Sequence, residues 1–95
     1  MFDRMGSVTA DDVMQVARVL RALPKAMRGP RLLRLLAMAR AAEMHVRLTG
    51  SGHPLWGRGS LADTVAGLPK AEIGAGDDPE WCDCTVSVWD ALLSR

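Results

Sequence analysis

The chain has 95 residues, 48% hydrophobic and 24% charged, which excludes wholesale disorder and bounds the protein to one small domain over residues 1–95. No apolar run approaches the roughly 18–20 residues that span a bilayer, and the first residues lack the order of a signal peptide, so no membrane partner and a cytoplasmic location are expected. The net charge of +1 conceals an asymmetry: residues 1–58 hold ten Lys/Arg against four Asp/Glu, and residues 59–95 hold two against seven. Such a split fits a polyanion partner for the basic half, or attraction between opposite halves or subunits.

Thr9 followed by Asp12 resembles a capping box, and Val13, Val16, Ala17, Leu20 and Leu23 then recur at helical spacing. This predicts a first helix over residues 10–23, stopped by Pro24. The short connection PKAMRGP, with room for one helical turn of its own, places Pro30 in the first turn of a second helix over residues 30–49, closing an antiparallel hairpin. That second helix carries two apolar arcs. Leu32, Leu35, Leu36, Ala39, Ala42 and Val46 fill one, and Leu33, Ala37, Ala41, Met44 and Leu48 fill the other. Arg40 and Arg47 separate the arcs on one edge, and Arg31, Arg34 and His45 on the other. A helix with two stripes needs two partners, so the second arc is expected to meet the C-terminal helix or a neighbouring subunit. Gly50 reads as the cap that ends the helix.

Residues 50–77 form a long internal connection, expected to be held down by Leu55, Trp56, Leu61, Val65 and Leu68. Within it, Ser60 and Asp63 can cap a short helix over residues 60–67. The stretch HPLWGRGS reads as a structural motif: Pro54, Gly57 and Gly59 let the chain turn beside His53 and place Trp56 over the end of the hairpin. Asp77 or Asp78 then caps a last helix over residues 79–93, with Pro79 in its first turn. There Trp81, Cys84, Thr85, Val88 and Leu92 share one arc, Cys82, Val86, Trp89 and Leu93 the next, and Asp83, Ser87 and Asp90 lie on a polar stripe. The class is all-α: a hairpin, a short helix and a C-terminal helix.

Enzymatic residue patterns are missing. There is no Ser/His/Asp arrangement, no H-E-x-x-H and no P-loop, and His53 has no nucleophile or carboxylate at useful spacing, so no catalytic residue or cofactor is expected. Cys82 and Cys84 have only His45 and His53 as further soft ligands, and C-x-C spacing is unlike the usual zinc pattern, so buried free thiols are expected rather than a metal site. The nucleic-acid pattern is fuller. Arg21, Lys25, Arg28, Arg31 and Arg34 cluster where guanidinium groups suit phosphate, without the interleaved aromatics that single strands require. Contact with the backbone of double-stranded DNA, with little sequence preference, is the form that fits. The apolar arcs independently predict self-association, with Leu33, Ala37, Ala41, Met44 and Leu48 as the oligomer interface.

A helical hairpin ending in TG, then His53-Pro54-Leu55-Trp56-Gly57 with Gly59-Ser60-Leu61, then Asp78-Pro79 opening a last helix, resembles short proteins of alphaproteobacterial gene transfer agents, phage-derived DNA-packaging systems. There they are similar to the small terminase subunit, and the resemblance covers most of residues 8–93. It implies a non-enzymatic, homo-oligomeric component, such as a ring, that engages DNA and presents it to the large terminase, the ATPase and nuclease motor. Few residues precede the first helix, which departs from small terminases that carry a separate N-terminal DNA-reading domain and favours weak, non-specific contact. On this reading Asp83, Asp90 and Trp89, in the acidic half, face the motor. The alternative is a protein–protein adaptor or regulator that binds through a Trp81/Trp89 surface without DNA contact.

Overall fold

The computed structural model describes residues 8–54, 57–74 and 76–93. Four helices occur among them: α1 (Ala10–Arg21), α2 (Lys25–Thr49), α3 (Leu61–Thr64) and α4 (Pro79–Leu93). The class is therefore all-α, and the one extended pairing among the described residues is an antiparallel bridge between His53 and Gly57.

The N-terminus of α1 forms the expected capping box. Thr9 Oγ1 accepts the Asp12 N–H at 3.1 Å, and Asp12 Oδ2 accepts the Thr9 N–H at 3.0 Å. Asp12 also reaches further than its own helix. Its other oxygen accepts the Ala62 N–H at 3.0 Å, so one buried carboxylate caps α1 and ties α3 to it. Helix α1 stops at Arg21, two residues short of the expected end at Leu23, because the residue before Pro24 is driven out of the helical region.

Helix α2 begins at Lys25, five residues before the expected start, and carries Pro30 in its interior. Extended Pro24 occupies its N-cap, and the Met27 N–H bonds the Pro24 carbonyl at 2.9 Å to close the first turn. Pro30 is accommodated at the cost of one missing donor, opposite the Ala26 carbonyl. Gly29 eases the strain, since it has no Cβ to meet the proline ring. The far end is as expected: Gly50, at φ 76°, caps α2 and donates its N–H to Val46 O at 2.7 Å.

Helix α1 packs against all three others, most extensively against α4. It buries Val13, Val16, Ala17, Val19 and Leu20 against Leu32, Leu35, Leu36 and Ala39 of α2, Leu61 and Val65 around α3, and Trp81, Cys84, Val88 and Leu92 of α4. The first arc of α2 thus enters the core, with Ala42 also buried. The second arc does not. Leu33 is 68% exposed, Met44 49% and Leu48 79%, and Ala37 and Ala41 lie open beside them.

The long connection is held down as expected by Leu61 and Val65, both buried in the core, and by Leu68 packed against it, with hydrogen bonds adding to them. Helix α3 is four residues long, shorter than the expected span 60–67, because the chain tightens after Thr64 and Lys70 Nζ takes the Val65, Ala66 and Leu68 carbonyls at 2.7, 3.3 and 3.2 Å. Ser60 caps it as expected, accepting the Asp63 N–H at 3.0 Å. Further on, Arg18 holds Ala71 twice: Nε donates to the Ala71 carbonyl at 2.8 Å, and the Arg18 carbonyl accepts the Ala71 N–H at 3.0 Å. Leu55 and Trp56, expected to help pack this segment, lie outside the described residues.

The two arcs of α2 separate in a stability measurement. Leu35→Ala empties a buried site and should cost about 2–5 kcal/mol, whereas Leu33→Ala should stay within about 0.5 kcal/mol in dilute, monomeric protein. Urea melts of the two variants check this; equal losses would place the exposed arc inside the fold.

Candidate assembly and nucleic-acid interface

The arginines that cluster in sequence divide in space. Arg28 is only 15% exposed and is spent at the junction of three helices. Its Nε donates to the Leu20 and Leu23 carbonyls at 2.8 and 3.1 Å, and one terminal nitrogen reaches the Arg21 carbonyl at 3.4 Å. It therefore caps the C-terminal end of α1, where unpaired carbonyls concentrate negative partial charge. Glu80, in the first turn of α4, pairs with Arg28 at 3.2 Å and with Arg21 at 3.1 Å. Arg21 and Arg28 thus face a carboxylate of their own chain. Sequence spacing could not show this, because Glu80 lies 52 residues beyond Arg28.

Lys25, Arg31 and Arg34 differ. Lys25 and Arg34 are exposed, Arg31 is half-buried, and a shallow depression formed with Ala26, Met27 and Pro30 lies beside the two arginines. None of these three cations has a carboxylate of the described residues within ion-pair distance. Arg40 is also exposed, and Arg47 makes only a long 3.8 Å contact with Glu43 one turn back. The exposed stripe Leu33, Ala37, Ala41, Met44 and Leu48 consequently runs between Arg34 on one side and Arg40 and Arg47 on the other. With Leu36, Arg40 and Ala91 of α4, its first four residues line a broad open groove.

Helix α4 presents a second apolar surface. Val86 is 60% exposed, Trp89 42% and Leu93 65%, with exposed Asp83 and Asp90 alongside. Trp81, expected to share a docking surface with Trp89, is instead buried in the core. A Cβ at Gly74 would stand 2.5 Å from Trp81 Cβ, so the connection lies directly over that side chain. At 100° per residue, Trp81 and Trp89 stand about 80° apart on the helix, which is enough to send one inward and leave the other out.

The motif His53, Pro54, Gly57 and Gly59 shapes the chain after α2. His53 and Gly57 exchange both backbone hydrogen bonds, at 2.7 and 3.1 Å. Gly59, at φ 102°, lies so close to α2 that a Cβ would come within 2.9 Å of Glu43 Cα. His45 Nδ1 donates to the Ser51 carbonyl at 3.1 Å, and its ring stands edge-on to His53 with centroids 5.1 Å apart. Trp56, the expected cover of the hairpin end, lies outside the described residues. Among the described residues no three His, Cys, Asp or Glu side chains come together to hold a metal ion.

The cysteines are free and unlike each other. Cys82 is half-exposed and donates its Sγ–H to the Gly76 carbonyl at 3.2 Å, while Cys84 is buried. Burial pushes the Cys84 thiol above its ordinary value, against the lowering influence of Arg28 and Arg21. An unfolded thiol titrates near about 8.5, so the neutral buried thiol favours the fold fully below that pH, and this contribution is lost as pH rises towards the raised folded value. A thiol reagent at pH 8 should label Cys82 rapidly and Cys84 only at the rate of unfolding, and Cys84→Ser should flatten the loss of stability on the alkaline side. Equal labelling rates in the folded protein would contradict this arrangement.

No curated protein and no solved structure matches the chain. A family model does match, over residues 6–92. Its span takes in the capping box of α1, the Arg28–Glu80 junction and, but for Leu93, both exposed apolar surfaces, and the chain belongs to the family described as a domain of unknown function, DUF7742.

Proposed function

We propose that the protein is a non-enzymatic DNA-packaging component that resembles a small terminase subunit. It self-associates through the exposed stripe of α2, touches double-stranded DNA weakly and without sequence preference, and presents it to a large terminase. The observation that carries the DNA part is the set Lys25, Arg31 and Arg34, three cations near the start of one helix with no carboxylate partner among the described residues. Guanidinium groups in this state release counterions on meeting phosphate instead of exchanging one carboxylate for another. Arg21 and Arg28, expected as phosphate ligands from sequence, take no part in this reading, because Glu80 already occupies them.

A second reading, a protein adaptor without DNA contact, is favoured by exposed Trp89, Val86 and Leu93. Fluorescence anisotropy with duplexes of unrelated sequence separates the two. DNA packaging predicts similar affinities for all duplexes and a log–log salt slope of about −2 to −3 per subunit, from roughly 0.9 per neutralised phosphate. Arg31→Glu with Arg34→Glu should abolish the binding. Binding that survives this double change rejects the assigned surface, and absence of wild-type binding at low salt leaves the adaptor reading.

A further inference from the structure

Two apolar stripes stand exposed among the described residues, and they differ in charge. The α2 stripe, Leu33 to Leu48, is bordered by Arg34, Arg40 and Arg47; the α4 stripe, Val86, Trp89 and Leu93, is bordered by Asp83 and Asp90. On α4 these residues turn away from the side that meets α2, where Asp83, at the edge of the stripe, lines a cleft together with Cys84, Ser87, Lys25, Arg28 and Leu32. The two stripes therefore do not cover each other within one molecule.

We infer that they cover each other between molecules: the α4 stripe of one copy docks head-to-tail on the α2 stripe of the next. Charge selects this pairing. Two α2 stripes face to face would oppose Arg34, Arg40 and Arg47 with the same residues of the other copy, and two α4 stripes would oppose Asp83 and Asp90 with themselves. The mixed pairing places acid against base. The spacings also agree, since Asp83 and Asp90 are seven residues apart, as are Arg40 and Arg47, giving about 10.5 Å along each helix. Shape agrees as well. Ala37 and Ala41 leave a hollow between Leu33 and Met44, and Trp89 is the large exposed aromatic among the described residues that can fill it, with Arg40 at the rim of the hollow to meet the indole face.

A contact between different faces is heterologous, so each copy retains one free face of each kind until a ring closes or a filament continues. Asp83, Asp90 and Trp89 are thereby assigned to a neighbouring copy instead of a motor. The inference rests on the self-association in the proposed function and is independent of DNA.

Complementation between two exposed-site variants tests it. Ala37→Glu spoils only the α2 face, and Trp89→Glu only the α4 face; circular dichroism confirms that each keeps its helices. Stripes this short bury less than a standard interface of about 800 Å² per partner, so the measurement belongs at roughly 10–100 µM. In light scattering the wild type should assemble, each variant alone should be monomeric, and their equimolar mixture should give a dimer and nothing larger. Asp83→Lys with Asp90→Lys should likewise fail alone and recover on mixing with Arg40→Glu and Arg47→Glu. A monomeric wild type, a Trp89→Glu variant that still assembles, or a mixture that stays monomeric overturns the pairing. DNA titration of the monomeric variants reads the phosphate contact separately, so failure of one proposal is not mistaken for failure of the other.

Discussion

The guanidinium of Arg28 is the point at which three helices become one structure. Helix α1 has only twelve residues, too few to be stable alone in water, and its last carbonyls need donors from outside the helix. Arg28 supplies them from α2, and the same group holds Glu80 at the start of α4. A planar fork with several fixed donors can do this where a lysine ammonium, a single point of charge, could not. The carboxylate of Asp12 answers it at the opposite end of α1, joining that helix to α3. The apolar core is thus laid between two polar clamps, and the connection that follows α3 is drawn onto α1 through Arg18 and Ala71.

This arrangement explains why so much apolar surface stays outside. A twelve-residue helix surrounded by three others offers each of them limited area. Helix α2, twice as long, can spend only one of its two arcs on it. The remainder, and the outer face of α4, stay exposed because the buried core is gathered around α1. Small chains commonly complete their burial by association, and charges of opposite sign border the two exposed stripes.

Much of this was legible in the sequence wherever the cause was local. The Thr9–Asp12 box, the Gly50 cap, Ser60 at α3 and Pro79 at α4 each act within one turn, and all four mark helix ends in the structure. The start of α2 was only partly legible, because Pro30 reads as a first-turn residue although the helix runs through it from Lys25. The division of the arginines was hidden for a different reason. Arg28 and Arg34 look equivalent by spacing, and only the folded chain brings Glu80 to the first and leaves the second without an acidic partner among the described residues. Trp81 and Trp89 pose the same difficulty, for an apolar arc wider than its partner does not announce which edge is covered.

The dependence of α1 on α4 also sets the order in which the protein can form during synthesis. Helix α1 finds its most extensive partner in α4, at the far end of the described residues. Until residues 79–93 have left the ribosome, Val16 and Leu20 have only part of their final cover, and the α1 carbonyls lack Glu80 beside their capping arginine. The α1 core is therefore closed by residues distant in sequence, and the exposed face of α4 takes its place only once that closure is made.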